Sequence, residues 1–142
     1  MTSLSFPDIN VWLALAASEH VHAPAARNWW NKEDGRIAFS RFTQLGFLRL
    51  MTTAAAMGGR PLSVKEAWRI HDRFYDDDRV AFVAEPLDVE THFRGNASSR
   101  AASPKLWSDA WLLALAAAAQ GTVITFDHAL GRRGAHCLLP SR

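Results

Sequence analysis

Two aspartates stand directly after short apolar segments of the kind that form buried strands. Asp8 follows Leu4-Ser5-Phe6-Pro7, and Asp127 follows Val123-Ile124-Thr125-Phe126. If both segments are strands of one parallel sheet, the two carboxylates lie at its carboxyl edge, where open α/β folds bind ligands. The alternative is local, because aspartate is also favoured as the cap of a helix that follows a strand. Each aspartate alone fits either explanation.

A third aspartate lies on the apolar side of a helical segment. Spacings of three and four residues place Asp109 on one stripe with Leu106, Leu112 and Leu113. Burial of an unpaired carboxylate is costly, so Asp109 must be protonated, paired or close to a cation. A place in the first helical turn recovers only about 0.3–1 kcal/mol. Three such carboxylates in one pocket would suit Mg²⁺ or Mn²⁺, which substrate phosphates complete, and this indicates phosphoryl chemistry.

Gln44 repeats the pattern of a polar residue on an apolar helical face. Phe47, Leu48 and Met51 follow it at spacings of three, four and seven residues. The amide is therefore expected to point inward, either as a satisfied internal amide or as a member of the same pocket.

The elements that must position these residues alternate between short strands and helices. The patterns predict strands at 4–7, 36–39, 80–83, 123–126 and 136–139, and helices at 10–17, 23–31, 41–52, 63–75, 89–96 and 104–120. Asp8 or Asn10, Ser40 and Ser103 are the expected helix caps, and Gly121 is expected to end the last long helix. This alternation predicts an α/β fold, with a parallel sheet of about four to five strands flanked by helices.

Length and composition favour one soluble globular domain over residues 1–142. Hydrophobic residues make up 49% and charged residues 21%, which excludes disordered and fibrous classes. The longest apolar run is shorter than the roughly 20 residues that a membrane span needs. The single cysteine, Cys137, and a start unlike a signal peptide favour a cytoplasmic protein. All but three of the 16 basic residues are arginine, which suits phosphate binding, although a coding bias explains this equally well.

Four segments carry the candidate residues in a fixed order along essentially the whole chain. They are FPDINVWLAL at 6–15, TQLGFLRL at 43–50, SDAWLLALA at 108–116 and TFD at 125–127. Together they resemble the PIN-domain ribonucleases, specifically the VapC-type toxins of bacterial toxin–antitoxin pairs. The resemblance implies a PIN-like parallel sheet with an acidic pocket at its carboxyl edge.

The resemblance also implies roles for individual residues. Asp8, Asp109 and Asp127 match the family's catalytic acids and its ligands for Mg²⁺ or Mn²⁺. Gln44 falls where the family usually has a glutamate, and this departure bears on the number of metals bound. Supporting positions are implied for three further residues, namely Asn10, Thr43 and Thr125.

The expected activity is metal-assisted hydrolysis of an RNA phosphodiester, performed by a homodimer that a cognate small antitoxin inhibits. One alternative is a PIN-like RNA-binding or regulatory protein with weak or no catalysis, which only Gln44 supports. A haloacid-dehalogenase-type phosphatase fits poorly, because Asn10 stands where that class needs a second aspartate.

Several other features have simpler interpretations. His20 and His22 are expected in a solvated loop, and the run Asp76-Asp77-Asp78 in a solvated turn. Trp12 and Trp111 are expected in the core or an interface, and Cys137 in the core of the final strand.

Overall fold

Five parallel strands form a single sheet. The computed structural model describes residues 3–98 and 101–141, and within them the strands are β1 (Leu4–Pro7), β2 (Arg36–Phe39), β3 (Val80–Phe82), β4 (Thr122–Thr125) and β5 (His136–Cys137). They lie in the order β3-β2-β1-β4-β5, and every neighbouring pair is parallel. The predicted α/β class and strand number are confirmed.

Helices make the connections between these strands, because parallel neighbours need crossovers. They are α1 (Ile9–Ala16), α2 (Ala23–Lys32), α3 (Arg41–Met51), α4 (Val64–Phe74), α5 (Val89–Ala97), α6 (Leu106–Ala119) and α7 (His128–Gly131). Within the described residues, no helix is long and apolar enough to cross a membrane.

The sheet buries a different apolar cluster on each face. Alternation along β2 turns Ile37 and Phe39 to one face and Ala38 to the other, since neighbouring side chains of a strand point in opposite directions. On the first face Trp12 of α1 is fully buried and stacks on Phe39 with ring centroids 3.7 Å apart. Leu115 of α6 is fully buried on the second face. The core position expected for Trp12 is therefore confirmed.

The ends of α6 differ from the prediction. The helix begins after Lys105, and Ser103 lies in the preceding turn rather than at the cap. At the other end the cap is Gln120 rather than the predicted Gly121, and Gln120 takes the left-handed conformation with φ 58°. Gly121 is needed for a different reason, because a Cβ there would lie 2.7 Å from the carbonyl oxygen of Leu4 in β1.

Strand register aligns the two strand-end aspartates. Phe6 pairs with Val123 and Pro7 pairs with Ile124, so β1 and β4 end side by side. Both chains then turn into helices, α1 after β1 and α7 after β4. The carboxyl edge of the sheet therefore carries Asp8 and Asp127 on adjacent strands, as the sequence predicts.

Candidate active site

A cleft of about 460 Å³ opens at the carboxyl ends of β1 and β4. The first turn of α6 and the loop between α1 and α2 contribute further walls. Its polar lining comprises the carboxylates Asp8, Asp109 and Asp127 together with Asn10, His20, His22, Lys105 and Ser108. The structure thus brings the three predicted acids together.

Asp8 is both a helix cap and a member of the cleft. Its Oδ1 accepts the backbone N–H of Val11 at 3.0 Å, which caps α1. Its Oδ2 accepts the hydroxyl of Thr125 at 2.6 Å, and its own N–H donates to the carbonyl of Ile124. Asp8 therefore caps α1, as one interpretation of the sequence predicts, and it also lines the cleft.

Asp127 has the same two roles on the neighbouring strand. One carboxylate oxygen accepts the N–H of Ala129 at 2.8 Å and caps α7, while the other accepts Nζ of Lys105 at 3.1 Å. Its backbone N–H donates to Oγ1 of Thr125 at 3.0 Å. The buried Thr125 hydroxyl therefore joins Asp8 to Asp127, which gives a contact basis for its expected supporting position.

Asp109 reaches the cleft from α6. It lies one helical turn after Lys105, so both side chains extend from the same end of the helix towards the strand ends. Asp109 is only partly buried, and its apolar neighbour Leu112 also lines the cleft. The apolar stripe predicted for α6 therefore places this acid at the rim of the core.

The three carboxyl groups differ in their readiness to ionise. Burial raises the pKa of Asp8, against the effect of its hydrogen bonds from Thr125 and Val11. Burial also raises the pKa of Asp109, and the nearby charge of Asp127 adds to the rise. Burial alone would raise the pKa of Asp127, but the hydrogen bonds from Lys105 and Ala129 outweigh it and lower that pKa. Two carboxyl groups with raised pKa values beside an ionised one favour the binding of a cation, which would stabilise their charged forms.

The chemistry of these donors fits Mg²⁺ or Mn²⁺, which prefer oxygen ligands. Within residues 3–98 and 101–141, no three side chains of His, Cys, Asp or Glu form a ready-made cage for an ion. Mg²⁺ is commonly held by one or two carboxylates and completes its shell with water and substrate phosphate.

The family model for the PIN domain matches residues 5–135, which include all three acids. The chain belongs to the PIN-domain family. It is 41% identical over 133 residues to Ribonuclease VapC41 of Mycobacterium tuberculosis, covering 89% of this chain and 91% of that protein. At this identity the chain is a VapC-type PIN-domain protein.

Two solved structures share the fold of this PIN domain. VapC20 of Mycobacterium tuberculosis, described as a toxin that cleaves the sarcin–ricin loop, matches with a TM-score of 0.65 and 15% identity, over 92% of this chain and 95% of that one. A toxin–antitoxin complex from Klebsiella pneumoniae matches with a TM-score of 0.55 and 15% identity, over 87% and 86% of the two chains. At these identities the likeness establishes the fold alone.

Gln44 lies outside the cleft of the PIN domain, which corrects the expectation that it joins the acids. Its amide nitrogen lies 3.3 Å from Nε2 of His71 in α4, and its carbonyl oxygen accepts a hydrogen bond from Arg41. The reason is helical period: Phe42 and Gly46, one turn apart, face the cleft and α1, and Gln44 stands midway between them on the opposite side. Gln44 is the satisfied internal amide that the sequence left open.

The other two residues predicted to support the site, Asn10 and Thr43, lie in different places. Asn10 is exposed and lines the cleft beside Asp8. Thr43 is buried and forms a capping box with Ser40, in which its hydroxyl accepts the backbone N–H of Ser40 at 2.9 Å. Thr43 therefore fixes the start of α3 and does not face the cleft.

The two loop histidines are the site feature that the sequence interpretation missed. His20 and His22 line the cleft and pack on Phe126, with centroid distances of 6.0 and 4.7 Å. The three rings are called the aromatic wall below. The sequence predicts a solvated loop for both histidines. Their contact with Phe126, which lies 104 or more residues later in the chain, depends on tertiary packing that local spacing does not show.

Proposed function

We propose that this PIN-domain protein is a metal-dependent endoribonuclease and the toxin of a toxin–antitoxin pair. The observation that carries the proposal is the convergence of Asp8, Asp109 and Asp127 in one cleft at the carboxyl edge of the sheet. The 41% identity to a ribonuclease supports RNA as the substrate. The reaction is hydrolysis of a phosphodiester, in which water adds to phosphorus and the bond to the 3′-oxygen breaks.

Asp8 and Asp109 are the residues that would hold the ion. When bound, Mg²⁺ or Mn²⁺ supplies activation of water and stabilisation of the negative charge that develops on the phosphoryl and leaving oxygens. Thr125 keeps the carboxylate of Asp8 in place through its 2.6 Å hydrogen bond.

Asp127 has a different part, because Lys105 and the α7 cap keep it ionised. An ionised carboxylate at this point can accept a hydrogen bond from the attacking water or contribute to a second ion site. The ammonium of Lys105 sits in the same cleft and is the cation best placed to meet a substrate phosphate.

The alternative of a PIN-like protein without catalysis rests on one departure from the family pattern, the replacement of a glutamate by Gln44. That side chain lies away from the cleft, so the amide itself does not occupy the site. The three acids that do line the cleft are all present, so hydrolysis is the better-supported function.

Cleavage of single-stranded RNA in the presence and absence of Mg²⁺ or Mn²⁺ tests the proposal. We expect metal-dependent products from the wild-type protein and at least about a 100-fold loss in Asp8→Asn, because removing one preorganised electrostatic contact from an active site commonly costs about 10²–10³-fold in rate. Asp88→Asn is the matched control, since Asp88 also precedes a helix but forms no side-chain cap and does not line the cleft. Cleavage by Asp8→Asn at the wild-type rate would contradict the proposal.

The inhibitory partner is proposed to be a small antitoxin that brings a cation, such as arginine, to the three carboxylates. The fold shared with a Klebsiella toxin–antitoxin complex supports a partner of this kind. Co-expression with a candidate antitoxin should yield a complex that no longer cleaves RNA. We also propose that the protein alone is a homodimer, as the resemblance implies, and measurement of its size in solution tests this.

A further inference from the structure

The aromatic wall of His20, His22 and Phe126 is the part of the cleft that the proposed chemistry does not use. All three side chains line the same cleft as the acids and are partly exposed. Phe126 directly precedes Asp127 in the chain, so the aromatic wall lies next to one of the carboxylates of the cleft. A group held on the wall is therefore held beside the carboxylates.

We infer that the aromatic wall stacks an unpaired base of single-stranded RNA and so places the adjoining phosphate at the acidic cleft. This inference rests on the proposed function and names the form of its substrate. Stacking gives attraction that does not depend on charge, whereas bare carboxylates repel the phosphates of RNA. A site with three acids gains most from such a contact.

The packing of the rings fits this use. The centroids of His20 and His22 lie 5.8 Å apart, and that of His22 lies 4.7 Å from Phe126, which is the ordinary range for aromatic contacts. Burial and the neighbouring His22 lower the pKa of His20, which favours the uncharged form of its ring. An uncharged ring stacks on a base without needing a phosphate partner.

A metal site at the two histidines fits less well. Nδ1 of His20 already accepts the backbone N–H of His22 at 3.0 Å, so that lone pair is used within the loop. No third ligand completes a group with these histidines within the described residues. The wall therefore offers ring surface rather than a chelating pair.

His22 is the residue to change, because its side chain makes no cap hydrogen bond at the start of α2. In the Asp8→Asn background, which prevents cleavage, fluorescence anisotropy gives the affinity for a short oligoadenylate and for an abasic ribose-phosphate oligomer of equal length. We expect His22→Ala to weaken oligoadenylate binding about five- to tenfold and to leave the abasic oligomer unaffected. His22→Phe should bind oligoadenylate within about twofold of its parent, since it keeps a ring.

The matched control is His92→Ala, an exposed histidine of α5 outside the cleft, which should change neither affinity. Three results would overturn the inference: unchanged binding by His22→Ala, equal losses on both oligomers, or a loss in His22→Phe as large as in His22→Ala. Absence of oligoadenylate binding by the parent would overturn it as well. Failure of the proposed function shows separately, as absence of cleavage by wild-type protein. Far-UV circular dichroism confirms that each variant is folded.

Discussion

Lys105 already supplies part of the positive charge that a bound ion would bring to the cleft. Its Nζ lies 3.1 Å from Asp127, and that hydrogen bond, with the charges of Asp109 and Asp8, raises the pKa of Lys105. Lys105→Met should therefore tighten Mn²⁺ binding by about three- to tenfold, as expected for one exposed charge near a divalent ion. Calorimetric titration with Mn²⁺ measures the change.

Lys65→Met provides the control for the Lys105 experiment. Lys65 is an exposed lysine of α4 and does not line the cleft, so its removal changes the net charge equally. An equal gain in both variants would assign the effect to net charge and would contradict a specific role for Lys105.

Gln44 illustrates how a single residue can be placed inside correctly and still be assigned to the wrong side of its helix. Since its amide contacts Arg41 and His71, Gln44→Glu should leave the Mn²⁺ affinity within about twofold of wild type. Asp109→Asn, which removes a carboxylate that does line the cleft, should weaken binding by at least tenfold in the same titration. Tighter Mn²⁺ binding by Gln44→Glu would contradict this placement and would mean that the side chain at position 44 of α3 belongs to the metal site.

At the scale of elements, the contact between α1 and α3 closes the floor of the cleft. A Cβ at Gly46 would overlap Cδ1 of Ile9 and lie 2.8 Å from its Cγ1, and Ile9 lines the cleft. Gly46→Ala should cost about 1 kcal/mol of stability, because overpacking of about 1–3 kcal/mol exceeds the gain of about 1 kcal/mol in helix propensity. Urea unfolding measures this loss.

The same contact gives a test by compensation. Shortening the neighbour in the double variant Gly46→Ala with Ile9→Val should recover part of the loss, so that the two changes are not additive. Ile9→Val alone should be mildly destabilising, by about 0.5–1.5 kcal/mol. Additive losses would mean that Ile9 does not meet the new methyl group.

The elements were predictable where one local rule decides them. β1 and β2 have the predicted bounds, and Ser40 caps α3 as expected, because apolar runs and capping residues act over a few neighbours. The short helix α7 was missed, since four residues hold too little of a helical period to show. The predicted strand ends also placed Asp8 and Asp127 correctly at the carboxyl edge of the sheet. The histidines and the true orientation of Gln44 depended on tertiary packing, which local spacing does not encode.

At the scale of the whole molecule, parallel topology concentrates like charge at one edge of the sheet. β1 and β4 are adjacent and end together, so their helix caps, Asp8 and Asp127, are forced into proximity. α6 then adds Asp109 from above the same edge. Burial and mutual repulsion of these carboxylates cost electrostatic free energy in the folded state, so we expect them to lower the free energy of unfolding of the whole chain.

The dependence of unfolding on pH should reveal this cost. Burial raises the pKa of Asp8 from the ordinary 3.8, so in the metal-free protein, at pH values between the unfolded and folded pKa, the folded state binds more protons at this group than the unfolded state does. Stability from this group is greatest below pH of about 4 and falls as the pH rises through the folded pKa. Asp109 acts in the same direction, whereas Asp127, with its lowered pKa beside Lys105, acts in the opposite one.

Comparison of wild type with Asp8→Asn isolates the contribution of Asp8. Asparagine still caps α1 but has no charge to bury, so the variant should gain stability relative to wild type as the pH rises, in urea unfolding with chelator present. Mn²⁺ at about 100 times its Kd should restore about 2.7 kcal/mol to wild type and clearly less to the variant, because only the folded wild-type cleft retains all three carboxylates. A stability difference that is constant with pH would show that the Asp8 carboxyl group has no electrostatic cost in the folded state. An equal response of both proteins to Mn²⁺ would show that Asp8 does not hold the metal.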